Sequence, residues 1–246
     1  MLAHLRLAGG ESVLELGCGT GALTLPLAEA VGEHGRVVAV DISEPMLGAA
    51  RQKVGERGMR NVTLVSGDAQ VFAFEPGAFD VATSRMGVMF FADPAAAFRN
   101  IKGGLKPGGR LVFACWAPLA ENRHWLISSD VALRHLEPPE PPPAHELGPL
   151  AFGDPDYIRG VLTTAGFAEI AVERAHPTII CGSPEEEARQ AVMMGPTARL
   201  LEAKRPDETT RQTIAREIEA AFAAEAATGP IRAPATIFLV SARRPG

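Results

Sequence analysis

Gly17-Cys18-Gly19-Thr20-Gly21-Ala22 sets glycines at alternate positions directly after the apolar run Val13-Leu14-Glu15-Leu16. A strand that breaks into such a loop and then turns helical brings backbone close to a ligand and aims a helix N-terminus at it. The string satisfies G-x-G-x-x-A, a dinucleotide fingerprint with Ala in third place, which alone is a weak signal. Asp41 ends the next apolar run, Arg36–Val40, where a carboxylate can take both hydroxyls of a ribose.

Two more acids bear on the choice of ligand. Glu15 lies two residues before Gly17, so its carboxylate stands at the strand end. It would repel a pyrophosphate but attract the ammonium and sulfonium of S-adenosylmethionine (SAM). The loop amides and helix end can still take the methionine carboxylate. Asp68, in Gly67-Asp68-Ala69-Gln70, follows a third apolar run and can accept the adenine amino group.

These residues need a frame. Ser12–Leu16, Arg36–Val40, Asn61–Val65, Phe79–Ser84 and Arg110–Trp116 are short, β-branched or aromatic, and suit parallel strands buried on both faces. Helix starts fall between and after them at Ser43, Asp93-Pro94 and Asp154-Pro155, the last helix stopping at Gly166. Met46, Leu47, Ala50 and Val54 are expected to form the apolar face of the helix after Ser43. Pro26 is tolerated only near an irregular first turn. This alternation predicts an α/β fold, a doubly wound, mostly parallel sheet. Further strands are expected at Ala168–Glu173 and, in one piece, at Ile231–Ala242. Two stretches depart from the rhythm. Residues 117–150 contain a proline run, Glu137–Pro143, read as a stiff connector. Residues 175–230 carry a capping box at Ser183–Glu186, an interruption at Gly195-Pro196, and a long helix starting at Pro206-Asp207-Glu208 and ending at Gly229-Pro230.

Val13–Gly21, Val37–Leu47, Gly67–Phe74, Phe79–Pro94 and Leu105–Trp116 occur in the order that the class I SAM-dependent methyltransferases show, and together they resemble that family. The nearest-looking branch is the group similar to ubiquinone/menaquinone-biosynthesis methyltransferases. The resemblance implies a seven-stranded Rossmann-like sheet in a single domain over 1–246, a SAM-binding core over 10–116, and substrate-side insertions at 117–150 and 175–230. It implies cofactor contacts from Glu15, Gly17, Cys18, Gly19, Gly21, Asp41, Ile42, Met46, Asp68, Ala69 and Ser84, with S-adenosylhomocysteine as product. The expected reaction is in-line methyl transfer to the oxygen, nitrogen or carbon of a small-molecule acceptor. Two alternatives stay open at this point: an NAD(P)-dependent oxidoreductase, and a SAM-binding protein that transfers nothing.

The acceptor side is thinner. Arg85 leaves the fourth strand at the carboxyl edge and could hold a carboxylate or phenolate, or pair with a surface acid. His124 follows the fifth strand and is a candidate general base, against the plainer reading of a hydrogen-bonded structural group. About ten residues precede the first strand, whereas the relatives usually carry N-terminal helices over the site, so either the site is more open or other segments or a partner in a homodimer close it, with the 175–230 helices as candidate interface.

The composition excludes several classes. The chain has 246 residues, 46% of them apolar, with 24 basic and 29 acidic side chains. The mild acidity and the lack of Asn/Asp-Pro-Pro-Tyr after the fourth strand argue against a nucleic-acid substrate. No run approaches the roughly 18 apolar residues of a membrane span. Cys18, Cys115 and Cys181 are far apart, which suits packed thiols in a reduced cytoplasmic protein and no metal site.

Overall fold

The computed structural model describes residues 1–140, 143–226 and 231–246. Pro141 and Pro142 of the proline run and the expected Gly229-Pro230 helix stop lie outside them. The chain divides into two compact units, one of residues 1–115, 154–173 and 238–246, the other of residues 116–153 and 174–237.

The first unit begins with α1 (Leu2–Leu5) and alternates through β1 (Ser12–Leu16), α2 (Thr24–Val31), β2 (Arg36–Asp41), α3 (Glu44–Glu56), β3 (Val62–Ser66), β4 (Phe79–Arg85), α4 (Pro94–Gly104) and β5 (Leu105–Trp116). The strands β1 to β5 pair in parallel, β1 lying between β2 and β4. Val13, Leu14, Val37, Ala39, Val81 and Ala82 are buried, as parallel strands covered on both faces require. Pro26 sits in the first turn of α2, where its missing N–H costs no helical bond. Ahead of Arg110, β5 is irregular. Phe79 pairs with Leu105 but Val81 with Arg110, so the intervening residues loop out, with Gly108 at φ +74°.

Three elements complete this unit's sheet and flank. α6 (Pro155–Thr164) starts on the Asp154 side chain, which accepts from Asp156 N–H. It is preceded in the chain by α5 (Arg123–Ala132) of the second unit. β6 (Ala168–Ala175) is an outer strand, and the seven-stranded order is β3-β2-β1-β4-β5-β9-β6, where β9 is Ile237–Arg243. β9 runs against β5. Gly108 N–H donates to Arg244 O and Arg244 N–H to Gly109 O at one end, and Ala117 N–H donates to Thr236 O at the other.

The second unit packs α5 with α7 (Pro184–Met193), α8 (Gly195–Lys204) and α9 (Glu208–Ala226) around Val131, Ala191, Leu201, Ile214, Ile218 and Phe222. The capping box forms: Glu186 N–H donates to Ser183 Oγ, and Ser183 N–H to the Glu186 carboxylate. A small antiparallel ribbon joins β7 (Thr178–Ile180) to β8 (Arg232–Pro234). The expected single strand over Ile231–Ala242 is therefore two strands, in two different sheets. Pro234 has no N–H to extend a ladder, and Thr236 N–H is taken by Asn122 Oδ1.

Candidate functional site

In an open α/β sheet, ligands bind beyond the carboxyl ends of the strands where strand order reverses. Here that point is the end of β1, flanked by β2 and β4, and the Gly17–Ala22 loop starts there. Gly17, Gly19 and Gly21 all have left-handed φ, from +56° to +79°, a region that side chains with a Cβ rarely adopt. Gly17 is also confined. A Cβ on it would come within 3.1 Å of Gly87 Cα, so the loop after β1 and the loop after β4 touch through backbone alone.

Asp41 organises the loop. It is 9% exposed, and its two carboxylate oxygens accept from Gly19 N–H at 2.7 Å and Ser43 N–H at 2.8 Å. Gly17 and Cys18 N–H both donate to Val40 O, and Gly21 N–H donates to Cys18 O. Four loop amides are thus engaged inside the protein. That corrects the expectation that the glycine amides stand free for a carboxylate. Ser43 holds the N-cap position of α3, but its side chain caps nothing. Lys53 on α3 donates to Thr20 O and Thr20 Oγ1, tying the loop to that helix.

Glu15 does not reach outward. It is 1% exposed, accepts from Thr24 Oγ1 at 2.6 Å, and burial pushes its carboxyl up to about 7. Thr24 and the Arg85 charge favour the ionised form, and the Asp41 charge opposes it. Burial likewise pushes the Cys18 thiol up to about 12. Ser84 lies beneath the loop. Its side chain is buried and its one hydroxyl proton goes to Leu16 O at 2.7 Å, which fastens β4 to β1 under the loop.

Apolar side chains remain uncovered at this edge. Ile42 is 74% exposed and Met46 is 48% exposed. Met46 is thus not part of the α3 core face; Leu47 and Ala50 are, and the Met46 sulfur lies 3.8 Å from where a Cβ on Gly19 would be. After β3, Ala69 is buried, and Asp68 accepts from Gln70 N–H and from the Gln70 side-chain amide. Gln70 Oε1 in turn accepts from Ala92 and Asp93 N–H at the start of α4. Arg85, exposed at the end of β4, makes no hydrogen bond or ion pair among the described residues.

The structure therefore brings Glu15, the three glycines, Asp41 and Met46 together around one loop, with Ile42 beside them in sequence. His124 lies in the second unit, on α5, packed against Trp125 and Trp116 at ring-centroid distances of 4.7 and 5.5 Å. Burial lowers its ring to about 4, so it is neutral near pH 7. Sequence reasoning missed Thr24, Gln70, Lys53 and Gly87. Of these only Gly87 carries a local signal, a lone glycine in an apolar run after a strand.

A model of the methyltransferase domain family matches residues 13–109. Nocamycin O-methyltransferase of Saccharothrix syringae is 34% identical over 244 residues, covering 95% of this chain and 85% of that enzyme. The chain belongs to the class I SAM-dependent methyltransferases. Demethylmenaquinone methyltransferase of Lactococcus lactis subsp. lactis is 42% identical to this methyltransferase over 103 residues, 42% of this chain and 41% of that enzyme. Among solved structures, a Bacillus halodurans protein superposes with a TM-score of 0.63 at 23% identity, over 100% of this chain and 97% of that one. Phosphoethanolamine N-methyltransferase 2 of Haemonchus contortus, in complex with SAM, gives 0.58 at 20% identity over 100% of this chain and 51% of that one. Both share the fold. The reaction is SAM-dependent methyl transfer to a small-molecule acceptor, and the nicotinamide alternative falls away. Among the described residues no helix is long and apolar enough to cross a membrane.

Proposed function

We propose that this methyltransferase holds SAM at the carboxyl edge of β1, β2 and β3 and methylates an oxygen of its acceptor. The observation that carries the cofactor site is the pairing of a buried, loop-organising Asp41 with uncovered Ile42 and Met46 next to left-handed glycines. Such a cradle fits an adenosine: a carboxylate with lone pairs left for ribose hydroxyls, apolar side chains to flank a base, and no Cβ in the way. When bound, SAM supplies the chemistry itself, a methyl group activated on a sulfonium.

The chain's own residues then bind and orient. Asp41 keeps the loop and the ribose end in register. Asp68, fixed by Gln70, offers a carboxylate to the adenine amino group. Glu15, buried and near its midpoint at neutral pH, is drawn toward its ionised form by any cation placed over the loop. Arg85 presents an exposed cation at the end of β4 for an acidic acceptor. The 117–150 and 175–230 segments choose the acceptor. Oxygen is favoured because the relative matched across nearly the whole chain is an O-methyltransferase.

Calorimetric titration with S-adenosylhomocysteine, and separately with NADH, tests the cofactor site on the wild type and on Asp41→Ala. The expected result is S-adenosylhomocysteine binding weakened at least tenfold by the substitution, with no NADH heat. Unchanged binding in the variant would remove Asp41 from the site.

A further inference from the structure

A cavity of about 200 Å3 in the first unit lies against one face of β5, β9 and β6. Its lining residues alternate along the strands, Arg110 with Val112 and Leu239 with Ser241, as side chains on one face of a sheet do. Arg110 is in register with Val81, and Val81 with Val13, so the cavity stands level with the start of β1. No residue of the glycine loop after Leu16 lines it.

Two unusual backbone positions border this space. Arg6 (φ +46°), which ends α1, and Glu169 (φ +50°), near the start of β6, are both left-handed, a conformation that a residue with a Cβ seldom adopts. Each is tied to an arginine of an inner strand. Arg110 donates to Leu5 O and Arg6 O while it pairs with Glu11. Arg243 pairs with Glu169 at 3.1 Å and donates to Gly108 O. The walls are thus set by the fold, and backbone strain of this kind gathers at binding sites.

Those pairs neutralise four of the charges and leave two of opposite sign. Arg6 and Glu173 both line the cavity and are exposed, and neither side chain makes a hydrogen bond or ion pair among the described residues. They stand apart. Arg6 is anchored at β5 through Arg110, Glu173 belongs to β6, and β9 lies between, so two strand spacings, roughly 10 Å, separate their supports. The floor between them is apolar, formed by Leu239 with Val112, and the half-buried Ser241 adds a hydroxyl. A simple anion would meet Glu173, and a simple cation would meet Arg6. A molecule carrying both charges meets neither objection. The volume, below the roughly 300–1,000 Å3 of drug-sized sites, requires it to be small.

We propose that this cavity binds a small zwitterion whose carboxylate and ammonium are held apart by a short apolar chain, the carboxylate at Arg6 and the ammonium at Glu173. The site is distinct from the cofactor loop, and its occupancy does not depend on the methyl-transfer reading.

5-Aminopentanoate is the probe, and L-norvaline, its isomer with adjacent charges, is the control. Pentanoate and pentylamine each carry one charge on the same chain. In 15N-labelled protein the backbone amides of Val112, Ser241 and Glu173 report on the cavity. The expected result is a saturable shift of these signals with 5-aminopentanoate, and at least tenfold weaker binding of the three controls. Arg6→Gln and Glu173→Gln should each weaken 5-aminopentanoate at least fivefold, with melting temperatures unchanged because both side chains are exposed. No shift, equal affinity for norvaline, or full affinity in either variant would overturn the proposal. Saturating S-adenosylhomocysteine should leave the shifts in place; displacement by it would put the probe in the cofactor site and overturn the proposal equally. Absence of S-adenosylhomocysteine binding, with the shifts intact, would instead count against the cofactor site alone.

Discussion

Glu15 shows how one side chain can make stability depend on pH in an unusual direction. In the unfolded chain its carboxyl titrates near 4.5, and in the folded protein near 7. Between these values the folded state holds more protons, so Glu15 lowers stability as pH rises, by on the order of 3 kcal/mol across the window. Glu15→Gln removes this titration. Urea denaturation at pH 4 and pH 8 is expected to show the variant gaining on the wild type at the higher pH. His124 acts oppositely: its ring titrates near 6.5 unfolded and about 4 folded, so its contribution is complete above 6.5 and is lost as pH falls through that interval. The two slopes offset each other where they overlap, and His124→Phe should expose the Glu15 slope. Gly17 makes a simpler case. Alanine there meets both a left-handed φ and the Gly87 backbone, so Gly17→Ala should cost about 1–3 kcal/mol and weaken S-adenosylhomocysteine binding, read by thermal shift and calorimetry.

At the scale of elements, Asn122 ahead of α5 is the fastener to test. Fully buried, its amide donates to the carbonyls of Ala117, Pro118 and Thr236 and accepts from Thr236 N–H. Asn122→Ala strands buried backbone groups and should cost about 2–4 kcal/mol in chemical denaturation. This junction also marks where the amino-acid pattern stops being readable. β1, β2, β4 and the latter half of β5 are legible because each is a short run buried on both faces; β3, at the sheet edge, is only half-buried and corrects the expectation that it is covered on both faces. α4, α6 and α7 are legible because Asp93, Asp154 and Ser183 cap them through their own side chains. α5 is not, since Ser128 and Ser129 lie on its buried side, with Thr197, 69 residues away, donating to Ser128 Oγ at 2.9 Å. Local periodicity cannot see a polar side chain whose partner comes from another helix. The site divides in the same way. Its glycines and Asp41 follow from spacing, whereas Thr24 under Glu15 and Gln70 bridging Asp68 to α4 depend on contacts made only after folding. Met46 misleads because an apolar residue at helical spacing ordinarily packs inward.

At the scale of the whole molecule, two apolar cores serve two tasks. The first unit's core backs the glycine loop after β1, with Leu27, Val31, Leu47 and Val37 in it. The second unit's core, with Leu201, Ile214 and Ile218, holds α5, α7, α8 and α9 together. Leu201→Ala should cost about 2–5 kcal/mol and lower hydrogen-exchange protection in α8 and α9. S-adenosylhomocysteine affinity is expected to stay within about twofold in the same variant. A parallel loss of cofactor binding would show that the two cores do not act separately.

The position of β9 bears on synthesis. Ile237–Arg243 lies between β5 and β6, yet both neighbours are made well before it. Until Arg243 has been added, β5 has one unpaired flank and β6 lacks its partner. Each is then an exposed strand edge able to recruit β9 from another nascent chain as readily as its own. The ribosome therefore delivers the sixth place in this sheet last, and crowded expression should favour chains that trade this strand with one another.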